Sequence, residues 1–471
     1  MAKYERRFLG GWGEEPLTPR GRWLLIGGGG VVFMMLAWWG GVPSELPALY
    51  FGLGVMVLWL FILFFGWLGW HLLVRPLPDG HREPVVQMLP RPYRLFLVFL
   101  LLLNGFCVVT GAYWDEVWHR LYGVPFGEDL FWRPHMLMYY AFGTTAVYAF
   151  IGLVYLVKWG RGTWQQRFRA YPLLGCLILV GAFMMYSLPA DPIWHLIYGD
   201  DIAAWSIPHL ILALTFSVIF LLGIGMLLST RAENDWGVSG WGEVSSWVVV
   251  GMFGLMINLL LQAMTTDWEG LSVTILQQRP DWLLLVTILG IGVGVGLTAV
   301  LSLRLIGAAT MAGLISWLYR LGISALFGYD EVTATAWVGV LVPLVAIDVA
   351  IGLMWWWWRR GGRLARPMVI LIDVLSITAA VVLIPWLNQG YAYPQIGSHN
   401  ILLSMVAVVV VVRGIVWGAQ RLANMLTAIK AGERDVSENE AAGFLRYATP
   451  ILTILMVIFL FFYIVSAQPP V

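Results

Sequence analysis

The chain has 471 residues, of which 60% are hydrophobic and only 12% are charged, and this composition excludes an ordinary soluble domain. Its 28 Lys and Arg and 27 Asp and Glu give a formal net charge of +1, so nothing in the charge points to a nucleic-acid partner. The two cysteines, Cys107 and Cys176, lie within apolar runs, which argues against a disulfide framework and a thiolate zinc site. Residues 1–22 are polar and Gly-rich, so we expect a cytoplasmic N-terminal segment and no cleaved signal peptide.

Apolar runs of about 20 residues, the length that a helix needs to cross a bilayer core, dominate the rest of the chain. Thirteen runs qualify as spans, although the eighth and ninth nearly fuse and leave counts of twelve and fourteen open. The predicted spans are 23–42, 47–73, 94–114, 135–157, 170–189, 207–229, 246–265, 282–303, 305–326, 335–357, 367–387, 400–418 and 448–466. Because only helices satisfy their own backbone in lipid, we predict an all-α, polytopic transmembrane bundle, with residues 23–466 as a single transmembrane domain.

The basic residues predict the orientation of this bundle in the cell inner or plasma membrane. With the amino terminus in the cytoplasm, all but four of the 28 Lys and Arg lie on or next to the cytoplasmic side, as the positive-inside rule requires. The four exceptions are Arg120, Arg133, Arg279 and Arg320. Residues 419–447 carry mixed charges and are predicted to form a cytoplasmic amphipathic segment.

One pattern of aspartate and histidine occurs twice and uses four of the seven histidines. Each copy has Asp-x-x-x-His with Trp before the His, then a Tyr-Gly turn, an acidic pair, and Pro-His at the start of an apolar run. The first copy contains Asp115, His119 and His135, and the second contains Asp191, His195 and His209. On a helix, residues i and i+4 share a face, so the Asp and the first His of each copy can converge on one ion. The second His would arrive from the next helix, which predicts a metal site at each turn.

Both copies fall at the outer bend of a predicted two-helix hairpin, the first at about 94–157 and the second at about 170–229. A third hairpin at about 246–303 looks like a decayed copy, with Asp267 in the place of the first Asp. There, Leu271 replaces the first His and Asp281 replaces the last. The pattern therefore predicts a bundle built partly from repeated hairpins.

One carboxylate and two imidazoles leave coordination positions open for water or substrate. Imidazole suits zinc, copper, iron and nickel, and of these copper and zinc are the leading ions. Trp118 and Trp194 would shield one side of each site. Two alternatives stay open. Each His could cap a helix end and hydrogen-bond within its turn, or His135 and His209 could ligate a haem, which would leave both aspartates without a role.

The motif resembles one found in the copper membrane monooxygenases, the family that oxidises methane, ammonia and short hydrocarbons, in the membrane subunit where an Asp and two His bind a copper ion. The resemblance covers about 40 residues in each copy. It implies a copper ion held by Asp191, His195 and His209 in the closer copy, and by the equivalent residues of the first copy. The motif is duplicated here, the chain is longer, and the loop between the two His is longer than in the family.

Three charged residues lie inside predicted spans: Asp348, Asp373 and Arg413. Charges at such depth are costly and usually face the bundle interior, either paired or hydrated. An ion or proton path is one interpretation, and a structural ion pair between Arg413 and one of the aspartates is the other and the favoured one.

The leading functional hypothesis is an integral membrane copper-binding protein of the monooxygenase-subunit type, with two Asp/His/His sites on the outer face. Its catalytic residues are unknown. The alternatives are a non-catalytic subunit of a respiratory or photosynthetic membrane complex, and an ion-coupled transporter that uses the intramembrane aspartates. The lipid bilayer and further membrane subunits, or a second copy of the chain, are the expected partners.

Overall fold

A computed structural model describes residues 18–39, 48–122, 133–198, 207–230, 236–265, 282–327, 340–360, 434–435 and 440–466. Within these ranges the protein is almost entirely helical, which confirms the predicted all-α class. Seven of the described helices are long and apolar enough to cross a membrane, and three shorter apolar helices accompany them. These helices are compatible with a multi-pass membrane protein. The predicted spans 367–387 and 400–418, with Asp373 and Arg413, lie outside the described residues.

The described part of the chain contains twelve α-helices and two strands of two residues each. They are α1 (Pro19–Trp39), α2 (Ala48–Gly69), β1 (Gln87–Met88), α3 (Arg91–Tyr122), α4 (Arg133–Trp159), α5 (Trp164–Ala170), α6 (Pro172–Tyr198), α7 (Ile207–Leu228), α8 (Val244–Thr265), α9 (Trp282–Leu303), α10 (Ala308–Phe327), α11 (Leu341–Arg359), β2 (Arg434–Asp435) and α12 (Glu440–Ser466).

The chain divides into two compact units. The hairpin unit comprises Trp23–Ile202, Ser206–Thr230 and Ile429–Val471. The four-helix unit comprises Met1–Arg22, Ala203–Trp205 and Arg231–Ala428, and is named for its four described helices, α8–α11. The predicted transmembrane domain falls across both.

In the hairpin unit, α4 is the central helix and packs against α3, α6 and α12. The helices α3 and α4 form one hairpin, α6 and α7 form a second, and α3 also packs against α7. The contact between α4 and α6 is close, because a Cβ atom placed on Gly181 would lie only 2.2 Å from the Cβ of Ala149. A small residue at such a point lets two membrane helices approach at backbone distance.

The short helix α5 joins the two hairpins and is held by contacts at its start and in its middle. A capping box fixes its start, since the Thr163 hydroxyl accepts a hydrogen bond from the Gln166 backbone and the Gln166 side chain binds back to Thr163. Arg167 donates to the carbonyls of Leu156 and Val157 in the last turn of α4. The Leu156 carbonyl also accepts from the Gly160 N–H at 3.1 Å, so the guanidinium adds a second donor there and supplies one to Val157.

The segment predicted as an amphipathic region, 419–447, is described only in part. Its residues Arg434–Asp435 form β2, which pairs in parallel with β1. Residues 440–447 already belong to α12, so this helix begins eight residues before the predicted last span at 448.

In the four-helix unit, α8 packs against α9 and α10, and α11 packs against α9 and α10. The predicted eighth and ninth spans are separate helices, α9 and α10, joined by a turn at 304–307. The turn contains two left-handed residues, Arg304 with φ of 52° and Gly307 with φ of 94°. It is tied to a distant segment, because Gly237 donates to the Arg304 carbonyl and accepts from the Ile306 N–H.

The close approach of α4 and α6 gives a testable expectation. Replacing Gly181 with Ala should destabilise the protein by about 1–3 kcal/mol, because the added Cβ would overlap with Ala149. Gly66→Ala is the matched control in the same unit, since a Cβ on Gly66 meets nothing within 4 Å. Thermal unfolding in detergent should show a lower midpoint for Gly181→Ala only. Equal midpoints for the two variants would contradict the described packing.

Candidate metal centre

The first Asp–His pair lies where α3 leads into α4. Asp115 belongs to the last two turns of α3, and His135 belongs to the first turn of α4. The Nε2 atom of His135 is 2.9 Å from the Oδ1 atom of Asp115. Both side chains are mostly buried, with exposed fractions of 16% and 17%. The structure therefore brings together two of the three residues predicted for the first site.

Local packing explains why these two side chains meet. Gly111 lies one turn before Asp115 on the same face of α3, and a Cβ there would be 3.0 Å from the Pro134 carbonyl oxygen and 2.8 Å from Met138 Cγ. The glycine thus lets α4 begin directly against α3. Pro134 in the first turn of α4 costs no hydrogen bond, because the N–H groups of a first turn have no helical acceptor.

The second pair repeats this arrangement between α6 and α7. The Nε2 atom of His209, in the first turn of α7, is 3.5 Å from the Oδ1 atom of Asp191. The pair is more exposed than the first, at 36% for His209 and 24% for Asp191. Pro189 and Pro192 flank Asp191 inside α6 and remove two of the backbone donors of that helix.

The side chain of Trp194, predicted to shield the second site, is buried in an apolar cluster. Its ring packs edge-on against Phe51 of α2 at a centroid distance of 5.8 Å, and it belongs to a buried cluster with Ala37, Val55 and Ile211. It therefore joins α6 to the first two helices of the chain. The side chain of Trp118, the predicted shield of the first site, lies outside the described residues.

The remaining predicted ligands, His119 and His195, are described in backbone only. Both lie within continuous helices, α3 and α6, so each backbone is one turn beyond its aspartate on the same helical face. The acidic pairs and most of the two connecting turns lie outside the described residues. So do Asp267, Leu271 and Asp281 of the third hairpin, whose helices are α8 and α9. Among the side chains that the structure describes, no group of three or more His, Cys, Asp or Glu could hold a metal ion.

The pairs have two chemical capabilities. An imidazole N–H and a carboxylate at these distances can form a hydrogen bond, which is the helix-end alternative from the sequence. The same atoms can also bind one ion together. Ligands at about 2.0–2.2 Å from an ion lie about 2.9 Å apart at a right angle and about 3.4 Å apart at the tetrahedral angle. The separations of 2.9 Å and 3.5 Å match this range.

Asp348, predicted as an intramembrane charge, binds the start of a helix. Its Oδ1 atom accepts a hydrogen bond from the Gly307 N–H at 2.9 Å, and its Oδ2 atom accepts one from the Thr310 N–H at 2.7 Å. These donors are the unsatisfied N–H groups at the amino terminus of α10, where the helix dipole also favours a negative charge. Asp348 is 7% exposed, so the carboxylate has a structural role as the cap of α10.

Sequence patterns missed two further polar features. Arg320, predicted to lie near the outer face, is buried in α10 with 1% exposure. A series of buried hydroxyl groups links α4 to α3 and α12. Such residues are common in membrane helices, and only the contacts between helices distant in sequence reveal that they form a series.

Comparison of the chain with models of known protein families, with curated proteins and with solved structures finds no match. Function is therefore inferred from the geometry of the Asp–His pairs.

The cap of α10 provides a prediction of stability. Asp348→Ala should lower the free energy of unfolding by about 1–3 kcal/mol, because buried N–H groups of Gly307 and Thr310 lose their acceptors. Asp348→Asn keeps one acceptor oxygen and should lose less. Thermal unfolding in detergent measures both variants. If Asp348→Ala were as stable as the parent protein, the capping role would be wrong.

Proposed function

We propose that the protein is a multi-pass membrane protein that binds a transition-metal ion, copper or else zinc, at each of its two Asp–His turns. The observation that supports this proposal is the same atomic contact in both hairpins. In each, the Oδ1 atom of an aspartate near the end of one helix meets the Nε2 atom of a histidine in the first turn of the next. Two separate stretches of sequence thus present the same pair of donor atoms in the same way.

The ligand atoms suit a metal ion that binds both nitrogen and oxygen. A carboxylate and imidazoles, without thiolates, are ligands that copper and zinc accept, whereas magnesium and calcium prefer oxygen alone. His119 and His195 would supply the third ligand of each site, because each follows its aspartate by one helical turn. In metal sites the second ring nitrogen of a ligating histidine commonly donates to a neighbouring group that fixes the orientation of the ring. Three protein ligands leave coordination positions open.

Burial favours the first site. Asp115 and His135 are each less than a fifth exposed, so protein covers much of their surface. A cation held there would offset the charge of the Asp115 carboxylate, which is otherwise costly to bury. Since Asp191 and His209 are more exposed, we expect the second site to exchange its metal more readily.

The resemblance to the copper membrane monooxygenases supports copper at both sites. Copper bound there would supply redox chemistry toward dioxygen and a small apolar or amine substrate. The protein would act as a subunit of such an oxidase, and the positive-inside rule would put both sites on the outer side of the membrane. What the chain itself contributes is the binding: it holds the ion at the junction of two helices, next to the hydrocarbon phase.

Metal analysis of the purified full-length protein tests this proposal. The parent protein should contain about two metal equivalents, and His135→Ala and His209→Ala should each lose about one, because each removes one ligand of one site. His81→Ala is the control, since His81 lies in an exposed segment outside both hairpins. Each variant needs an unchanged unfolding midpoint for the comparison to count.

Three results would contradict the proposal or change its form. A parent protein that binds neither copper nor zinc would leave the Asp–His hydrogen bond as the function of both pairs. Loss of all metal from a folded His135→Ala variant would replace two sites with one shared site. Equal metal loss from His81→Ala would mean that the bound metal does not belong to these turns.

The proposed orientation has its own test. In a background of Cys107→Ser and Cys176→Ser, cysteines introduced as Gly127→Cys and Gly199→Cys should react with a membrane-impermeant maleimide on intact cells. Arg161→Cys, in the exposed turn between α4 and α5, should react only after permeabilisation, because α4 runs from one face to the other. The reverse pattern would overturn the outer placement of the metal sites.

A further inference from the structure

The segment that joins the two hairpins carries a concentration of positive charge. Residues 158–170, from the end of α4 to the end of α5, contain basic side chains and no acidic one, and we call them the basic segment. Its basic residues are Lys158, Arg161, Arg167 and Arg169. The helices on either side, α4 and α6, are each apolar and long enough to cross a membrane. In a multi-pass arrangement the basic segment therefore lies at one surface of the bilayer.

Two tryptophans give the basic segment the composition of a membrane interface. Trp164 is 48% exposed, and its ring meets the buried ring of Phe168, one turn later in α5, edge-on at a centroid distance of 6.3 Å. The Lys158 ammonium lies 4.7 Å from the centre of the Trp159 ring. The Arg167 guanidinium lies 5.2 Å from the centre of the Trp164 ring. Since tryptophan prefers the boundary between hydrocarbon and headgroups, these rings hold the two cations at headgroup depth.

Hydrogen bonds fix the basic segment against the end of α2. This helix continues into a π-helical turn, Trp70–Val74, and α5 packs against that turn. The Gln165 side chain donates to the His71 carbonyl at 2.9 Å. The Gln166 side chain donates to the Arg82 carbonyl at 3.2 Å. The basic segment is thus a preformed surface, so a ligand that binds it loses little free energy in ordering it.

Most of the positive charge of the basic segment has no acidic partner among the residues that the structure describes. Arg169 forms an ion pair with Glu83. Arg167 donates to three backbone carbonyls, which are neutral and leave its charge uncompensated. Lys158 and Arg161 are exposed. The surface therefore attracts an anionic ligand.

We propose that the basic segment binds the phosphate groups of anionic phospholipids in the leaflet that it borders. The neighbouring loop, 75–86, contains two basic and two acidic residues, so it does not offset the excess of positive charge. Phosphatidylglycerol has a negative phosphate and no amine to balance it, whereas phosphatidylcholine and phosphatidylethanolamine carry a positive amine of their own. Lys158 and Arg161 bind the phosphate, because an ammonium and a guanidinium both donate to phosphate oxygens.

The apolar surface beside these cations favours a lipid over a free phosphate ion. Val157 is 54% exposed next to Lys158, and the half-exposed ring of Trp164 lies three residues from Arg161. A free ion would use the cations alone, while a phospholipid also covers the valine and the ring with its glycerol and first acyl carbons. The inference is independent of the proposed metal sites, since none of their residues takes part.

Thermal unfolding of the purified full-length protein in detergent tests the lipid site. The midpoint of the parent protein should rise with added phosphatidylglycerol and stay unchanged with phosphatidylcholine, because a ligand that binds only the folded state stabilises it. Arg161→Gln should need about fivefold more phosphatidylglycerol for the same rise, and Lys158→Gln/Arg161→Gln about 25-fold more, since each basic residue near an anionic surface contributes about fivefold. Without lipid, both variants should unfold at the parent midpoint, because the two side chains are exposed.

Two control variants separate the basic segment from charge in general. Arg161→Lys keeps the charge and should respond to phosphatidylglycerol within about twofold of the parent protein. Arg20→Gln removes the charge of an exposed arginine at the start of α1, outside the hairpin unit, and should respond as the parent protein does. Inorganic phosphate at the same concentration should raise no midpoint, and high salt should weaken the effect of phosphatidylglycerol by screening the charges.

Four outcomes overturn the lipid site. The first is equal stabilisation of the parent protein by phosphatidylglycerol and phosphatidylcholine. The second is a full response to phosphatidylglycerol in both Arg161→Gln and the double variant. The third is an equal loss of response in Arg20→Gln, which would assign the effect to the net charge of the chain. The fourth is the same rise with inorganic phosphate alone, which would make the surface a site for a free anion.

Discussion

The hydrocarbon core of a bilayer contains no water to bind a backbone N–H or C=O group, and this constraint explains the charged side chains at two helix ends in the described part of the chain. Helices satisfy their own interiors, so the free groups are concentrated at helix ends. Asp348 supplies acceptors to the first N–H groups of α10, and Arg167 supplies donors to the last carbonyls of α4. In both cases a charged side chain is held because it completes the backbone of a helix, which is a structural reason for a charge in an apolar chain.

Unlike the contacts of Asp348 and Arg167, the contacts within the two Asp–His pairs do not complete the backbone of a helix end. Asp115 and His135 lie at the junction of two helices, and their contact joins one side chain to another rather than to a helix end. A buried carboxylate in such a contact is stabilised either by the histidine itself or by a cation that both residues bind. The recurrence of the contact at Asp191 and His209, in a more exposed setting with different packing around it, favours a shared chemical task.

Hydropathy and motif spacing predicted the helical class and the meeting of Asp with the second His of each copy. They predicted helix lengths less well. The third span was predicted as 94–114, whereas α3 covers Arg91–Tyr122, because the polar turn that carries Asp115 and His119 continues the helix beyond the apolar run. A run of apolar residues locates the part of a helix that lies in the hydrocarbon core, and the helix itself can extend beyond it. The partners of Asp348 were not predictable, since they lie about 40 residues earlier in the chain and only tertiary packing brings them together.

The proposed metal sites link metal binding to pH. A carboxylate and an imidazole bind an ion only in their deprotonated forms, so loading the first site releases a proton. Asp115 and His135 are largely covered by protein, which restricts the direct exchange of that proton with water. Because protons compete with the ion for these atoms, metal occupancy at both proposed sites should fall as the pH falls.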